Sequence, residues 1–232
     1  MTYVVAEIGV NWDGDFKLAK QMMENAKTAG CNAVKFQAFE ENIVKDHPES
    51  SRLIKTSISP ENIETINELA KAVGIEWFCT PMYPNAVKFL EPYVSKFKIR
   101  VADGRPILEN KNTELFDNIL KTKKEIIISC EKSPQKSKYY KQDNIKWLYC
   151  VPKYPCDFSE LDFSNFNDFD GYSNHCPHIL APLTAVILGA KIIEVHITSN
   201  KSKNFFDNNV SFDYNELIEL VNLIRIAEKI KK

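Results

Sequence analysis

A lysine sits in the middle of the apolar run Asn32–Gln37, NAVKFQ. A charge in such a run is costly unless it is paired or binds something. Lys35 therefore has two readings. One is an ion pair in the core, with Glu7 at the end of the run YVVAE as its acidic candidate. The other is a ligand for an anion. Lys98 and Arg100, in FKIR, extend the second reading, because three cations together suit a phosphate or a carboxylate. Thr80 and Ser129, each closing a β-rich run, would add neutral donors. His175 and His196 fall at the ends of two successive β-rich runs. If those runs are neighbouring strands, about 5 Å apart, two imidazoles reach one divalent ion, with water and substrate completing its shell. Two histidines alone fit structural roles as well. His47 lies in a charged loop and reads as solvated, and His178 reads as the start of a helix.

The elements that must position these groups alternate along the chain. Short apolar runs predict strands at Tyr3–Glu7, Asn32–Gln37, Ile75–Thr80, Ser95–Ile99, Glu125–Ser129, Ile145–Cys150, Asp170–Ser173 and Lys191–His196. Helical spacing predicts helices at Phe16–Ala29, Pro60–Val73, Pro84–Leu90, Ile107–Lys121, Gln135–Gln142, Ile179–Leu188 and Tyr214–Ile230. Nearly continuous apolar strands imply burial on both faces, hence a parallel sheet covered by helices. Eight such units in 232 residues predict an α/β chain folded as a single (β/α)8 barrel, one domain over residues 1–232. An open doubly wound sheet is the alternative, weakened because no GxGxxG follows the first strand. In a barrel, polar residues at the C-terminal strand ends converge on one rim. Nearly every predicted strand supplies one: Glu7, Lys35 and Gln37, Thr80, Lys98, Ser129, Ser173 and His175, Glu194 and His196. The long loops 38–59 and 199–209 would lie over that rim as lids or specificity loops.

The bulk numbers exclude rather than identify. Lys plus Arg, 30, balances Asp plus Glu, 31, so no global field points to nucleic acid or an anionic membrane. No apolar run approaches the roughly 20 residues of a membrane span, and the N-terminus carries no cleavable leader pattern. Six cysteines without a CxxC pair read as reduced, buried side chains, consistent with a cytoplasmic protein.

Several segments, in order along the chain, resemble one family. AEIGVNWDGD, NAVKFQ, WFCTP, FKIRVADG, LYCVPKYP, GYSNH and AVILGAKIIEVHIT are similar to successive motifs of the sialic acid synthases and their nonulosonic acid synthase relatives. The resemblance implies condensation of phosphoenolpyruvate with the open-chain aldehyde of an N-acylated amino sugar, giving a 2-keto-3-deoxy sugar acid and phosphate. It implies a divalent metal, Mn2+ first with Mg2+ or Co2+ as alternatives, held by His175 and His196. It assigns catalytic roles to Glu7, Lys35 and Asp103, with Asp103 orienting the attacking water. Gln37, Thr80, Lys98, Ser129, Tyr154, Ser173 and Asp207 would bind the two substrates. The family pattern implies a homodimer.

The chain departs from the pattern at Trp12, Val101, Cys130-Glu131, Pro152 and Val195. It also ends with its last barrel helix, so the antifreeze-like domain that follows the barrel in the family is expected to be absent, leaving the sugar pocket open or capped by a separate protein. The aromatic residues Phe158, Phe163, Phe166, Phe169, Phe205 and Phe206 either form a docking face for such a partner or cover the barrel. Two other readings keep the same scaffold: a non-catalytic binding relative, and a different metal-dependent aldolase or lyase.

Overall fold

A computed structural model describes residues 1–230. Eight parallel strands close into a barrel in sequence order: β1 (Tyr3–Glu7), β2 (Ala33–Ala38), β3 (Glu76–Pro81), β4 (Lys96–Ile99), β5 (Glu125–Cys130), β6 (Ile145–Tyr149), β7 (Gly171–Asn174) and β8 (Ile192–His196). The predicted (β/α)8 barrel is therefore the observed one, and the open sheet is excluded by the pairing of β1 with β8, Tyr3 opposite Ile192 through Glu7 opposite His196.

The helices are α1 (Phe16–Ala29), α2 (Glu41–Val44), α3 (Ser50–Leu53), α4 (Ile63–Val73), α5 (Pro84–Leu90), α6 (Val101–Leu108), α7 (Glu114–Lys121), α8 (Leu180–Ile187) and α9 (Tyr214–Ala227). Asp15 caps α1 by accepting from the Lys17 and Leu18 amides, and α9 opens with a capping box between Asp213 and Glu216. Both α1 and α4 end where Gly30 and Gly74 take positive φ, a left-handed conformation that glycine adopts without a Cβ clash. The buried faces of these helices join the strand side chains in one core, in which Val4, Val34, Phe78, Phe97, Ile128 and Ile193 are fully or almost fully buried.

Two predicted helices come out differently. Ile107–Lys121 is two helices, α6 and α7, separated at Glu109–Thr113, where Asn110 has φ 60° and Thr113 caps the second. Gln135–Gln142 contains only the 3-10 turn Pro134–Lys136. The loop 38–59 is more ordered than its composition predicts. It contains α2, α3 and a 3-10 turn at Ile54–Thr56, and the indole of Trp12 donates to the Thr56 carbonyl at 3.0 Å. Trp12 thus ties the loop after β1 to the loop after β2. Of the aromatic residues considered for docking, Phe163, Phe166 and Phe169 stack among themselves and on Tyr149 and Tyr172, so they cover the barrel.

Candidate active site

Strand register brings the polar strand ends together. Glu7 stands opposite Lys35 on one side and His196 on the other, and Ser173 stands opposite Glu194. These side chains form the floor of a cavity of about 480 Å³ at the C-terminal end of the barrel, within the usual size of a small-molecule site. Of the twelve site residues named through the resemblance, eleven line it: Glu7, Lys35, Gln37, Thr80, Lys98, Ser129, Tyr154, Ser173, His175, His196 and Asp207. The twelfth, Asp103, does not. It lies in the first turn of α6, and its carboxylate takes the Arg100 guanidinium at 2.6 Å, outside the cavity lining.

The ion pair of Lys35 with Glu7 is formed, and it lies at the cavity floor. The Lys35 ammonium is 3.0 Å from Glu7 Oε1, 3.8 Å from Glu194 Oε2, and donates to Thr80 Oγ1 at 2.9 Å. Lys98 donates to Ser129 Oγ at 2.7 Å and lies 3.4 Å from Glu194 Oε1, which also accepts from Ser173 Oγ at 2.8 Å. Glu194 is thus the hub of the network. Sequence reasoning placed it at a strand end without giving it a role. The signal was available, since Glu194 and His196 are two apart on one strand and so share the barrel's interior face.

Burial opposes every charge here, and the pairing decides the outcome. For Lys35, burial favours the neutral amine, but Glu194 and Glu7 outweigh it and hold the pKa above the ordinary lysine value. For Lys98, burial prevails, helped by the neighbouring Lys35, and the pKa falls below the ordinary value despite Glu194. Burial would raise Glu194, yet Lys35, Lys98 and the Ser173 hydroxyl bring it down to about 2. Lys35 and Glu194 thus stabilise each other's charge.

The imidazoles of His175 and His196 face one another with ring centroids 5.4 Å apart. Nδ1 of His175 lies 2.8 Å from the Val151 carbonyl, which can only accept, so that nitrogen carries the proton and Nε2 keeps its lone pair. Burial, reinforced by His196, lowers the His175 pKa to about 3, so the ring is neutral. The phenol ring of Tyr154 lies over it at 3.9 Å between centroids. Burial also works to lower His196, but Asp207, 3.2 Å from its Nδ1, produces a net rise. Two buried carboxylate oxygens of this floor, Glu7 Oε2 and Glu194 Oε2, lack a hydrogen-bond partner among the described residues. Unsatisfied buried groups concentrated in one cavity mark a place built to hold something polar.

Two neutral-capable imidazoles, one with its tautomer fixed by a carbonyl and the other backed by a carboxylate, are the donor chemistry of a divalent metal site. Among the described residues no cluster of three or more His, Cys, Asp or Glu side chains is arranged to hold an ion. A metal here would keep positions open for substrate and water, as catalytic sites do.

The loop after β1 begins at Gly9, whose φ is +53° and where a Cβ would come 3.1 Å from both Glu7 Oε1 and Gln37 Nε2. Glycine lets the backbone pass over the hydrogen bond from Gln37 to Glu7, 2.7 Å long. Val101 and Pro152, two of the departures from the resembled pattern, lie at the cavity, Val101 as a buried part of its lining. Val195 is fully buried in the core, its side chain on the opposite face of the strand from Glu194 and His196.

Fold and site together define a (β/α)8 barrel whose cavity floor carries Lys35, Lys98, Glu7 and Glu194, with the two imidazoles beside them. The chain belongs to the NeuB family, whose profile matches residues 22–232. It is 32% identical to an uncharacterized protein of Methanocaldococcus jannaschii, over 98% of this chain and 71% of that one. It is 30% identical to the N,N'-diacetyllegionaminic acid synthase of Legionella pneumophila, over 98% of this chain and 72% of the other. Among solved structures, the N-acetylneuraminic acid synthetase of Leptospira borgpetersenii superimposes with a TM-score of 0.86 at 25% identity, covering 98% of this chain and 84% of that one. Among the described residues, no helix is long and apolar enough to cross a membrane.

Proposed function

We propose that this chain condenses phosphoenolpyruvate with the open-chain aldehyde of an N-acylated amino sugar, yielding a nonulosonic-type 2-keto-3-deoxy acid and inorganic phosphate. The observation that carries this reading is the cavity floor, where Lys35 and Lys98 stand beside two imidazoles on adjoining strands, in a chain whose named relatives make such acids.

Lys35 and Lys98, with Thr80 and Ser129, receive the anionic groups of phosphoenolpyruvate, and Ser173 lies near its carboxylate. His175 and His196 would hold a divalent ion, manganese first, with magnesium or cobalt as alternatives. When bound, it polarises the aldehyde oxygen. The enol carbon then forms a bond to the aldehyde carbon, water adds at C2, and the carbon–oxygen bond to phosphate breaks to leave the ketone. Glu7 presents the unpartnered Oε2 and handles the proton. Tyr154 and Asp207 face the sugar beside the imidazoles.

The test is His196→Ala. The variant is expected to lose both bound manganese and condensation while remaining folded. Full activity in a variant free of metal would remove this mechanism.

A further inference from the structure

One side chain joins three loops at the cavity rim. Arg52, in α3, uses all three of its guanidinium nitrogens. Nε and Nη2 donate to the two oxygens of Asp13 at 2.6 and 3.2 Å, Nη1 donates to Glu49 Oε2 at 2.9 Å, and Nη2 also donates to the Asn204 carbonyl at 2.8 Å. The guanidinium carbon lies over the ring of Phe206, 4.7 Å from its centroid. Asp13 belongs to the loop after β1, Glu49 and Arg52 to the segment after β2, and Asn204 and Phe206 to the segment after β8. Strands β8, β1 and β2 are neighbours in the closed barrel, so Arg52 fastens three adjoining loops to one another.

The backbone on both sides is shaped for this contact. Asp13 has φ 54°, a left-handed conformation that aspartate visits more readily than most residues and that persists where its surroundings hold it. At Gly14, φ +74°, a Cβ would come 3.0 Å from the Lys55 carbonyl oxygen, so the β1 loop runs directly against the segment that carries Arg52. A planar fork that engages both oxygens of one carboxylate, a second carboxylate and a carbonyl is arginine chemistry; a lysine ammonium is a point charge and cannot span these acceptors. Among the described residues, Arg52 lies outside the cavity lining, whereas Phe206 and Asp207 are within it. Asp207 is the carboxylate 3.2 Å from His196 Nδ1.

We infer that Arg52 is a positioning residue of the cavity: through Asn204 and Phe206 it fastens the segment 199–209 to the rim and so sets Asp207 against His196. The inference rests on the reading of His196 as a metal ligand, and adds to that site a residue that touches no substrate. The segment has two ties of this kind. Buried Asn11 accepts from the Asp207 amide at 3.0 Å, and Arg52 holds the Asn204 carbonyl three residues earlier. Loss of the second leaves the Asp207 backbone tethered but widens the range of positions open to its carboxylate. The fraction of the protein in the metal-ready arrangement falls, and the apparent affinity falls with it.

The experiment compares Arg52→Met and Arg52→Lys with the wild-type chain by hydrogen exchange and by calorimetric titration with manganese. In both variants the hydrogen-bonded amides of Phe205, Asp207 and Asn208 are expected to exchange faster, by about tenfold or more, with the strand amides unchanged. Manganese is expected to bind about tenfold more weakly, the lower end of what removal of such a carboxylate costs. Asp13→Asn, which tolerates the same φ, is expected to fall between these variants and the wild type. The deciding arm combines Arg52→Met with Asp207→Asn. If Arg52 acts through Asp207, the double variant binds manganese no more weakly than Asp207→Asn alone. Additive losses overturn the inference, as do unchanged exchange or unchanged manganese affinity in Arg52→Met, or wild-type values in Arg52→Lys. No turnover is involved, so failure of condensation leaves the test intact. A wild-type chain that binds no manganese would instead refute the metal reading, and exchange at the three amides would still decide whether Arg52 holds the segment.

Discussion

The carboxylate of Asp207 stands 3.2 Å from Nδ1 of His196, reaching a strand end from the loop that follows it. The loop is held there by Asn11, which accepts from the Asp207 amide at 3.0 Å and donates to the Ile197 carbonyl at 2.9 Å. A carboxylate behind a ligating imidazole fixes the ring and raises its basicity, and its loss costs about 10–100-fold in metal affinity. Asp207→Asn is therefore expected to weaken manganese binding by about that factor, measured by calorimetric titration, with the fold intact. Unchanged affinity would confine Asp207 to the sugar.

Lys35 is expected to carry both stability and function. Removing one partner of a buried ion pair costs about 3–5 kcal/mol, because the other charge is left uncompensated. Lys35→Met is expected to lower unfolding stability on that order and to abolish the thermal shift given by phosphoenolpyruvate. Adding Glu7→Gln should recover part of the stability and none of the ligand response. Denaturant unfolding of the two variants separates the roles. A stability unchanged in Lys35→Met would mean the pair with Glu7 is not formed.

Lys98 makes binding of the anion depend on pH. Its pKa is depressed chiefly by burial, and a bound trianion would raise it. Between the depressed free value and the raised bound value, the complex holds more protons than the free protein, so affinity falls as pH rises through that window. Calorimetry in buffers of different ionisation enthalpy should show proton uptake on binding, and Lys98→Arg should remove it. No uptake in the wild-type chain would mean Lys98 is fully charged beforehand.

All six thiols are buried, and they differ in how far burial raises them and in whether they line a pocket. Burial raises Cys31 and Cys150 to about 12 and Cys79 well above the ordinary value. These three should resist alkylation in the native protein and react only on unfolding. Cys156, raised less and to about 11, is buried but lines a small pocket with Cys176, and these two should react first. Mass spectrometry of partially alkylated native protein gives the order.

How far the chain could be read depended on where each signal lay. Strands such as EIIIS and KIIEVH are apolar because both faces are buried, and that pattern is visible without a structure. Helix α6 was not visible as a helix in VADGRPIL, where Gly104 and Pro106 are poor helix formers and the packed barrel overrides their preference. Lys35 declared itself by being charged in an apolar run. Glu194 carried the same signal one position from the valine before His196, and its role as hub emerged only once Lys35, Lys98 and Ser173 were seen around it. Asp103 was named through the resemblance, and in the structure the first turn of α6 carries its carboxylate to Arg100. The small hydrophobic cluster of Val10, Phe39 and Leu53, with Phe206 packed against it, was not legible, because these residues come from loops with no periodicity to follow.

The most direct test of the central claim is phosphate release from phosphoenolpyruvate by the manganese-loaded protein, with and without each of a panel of N-acylated aldoses, including N-acetylmannosamine and diacetamido relatives. The expected result is release that requires an aldose, in step with formation of a 2-keto acid. Absence of aldose-dependent release across the panel, in protein that has bound both manganese and phosphoenolpyruvate, would contradict it.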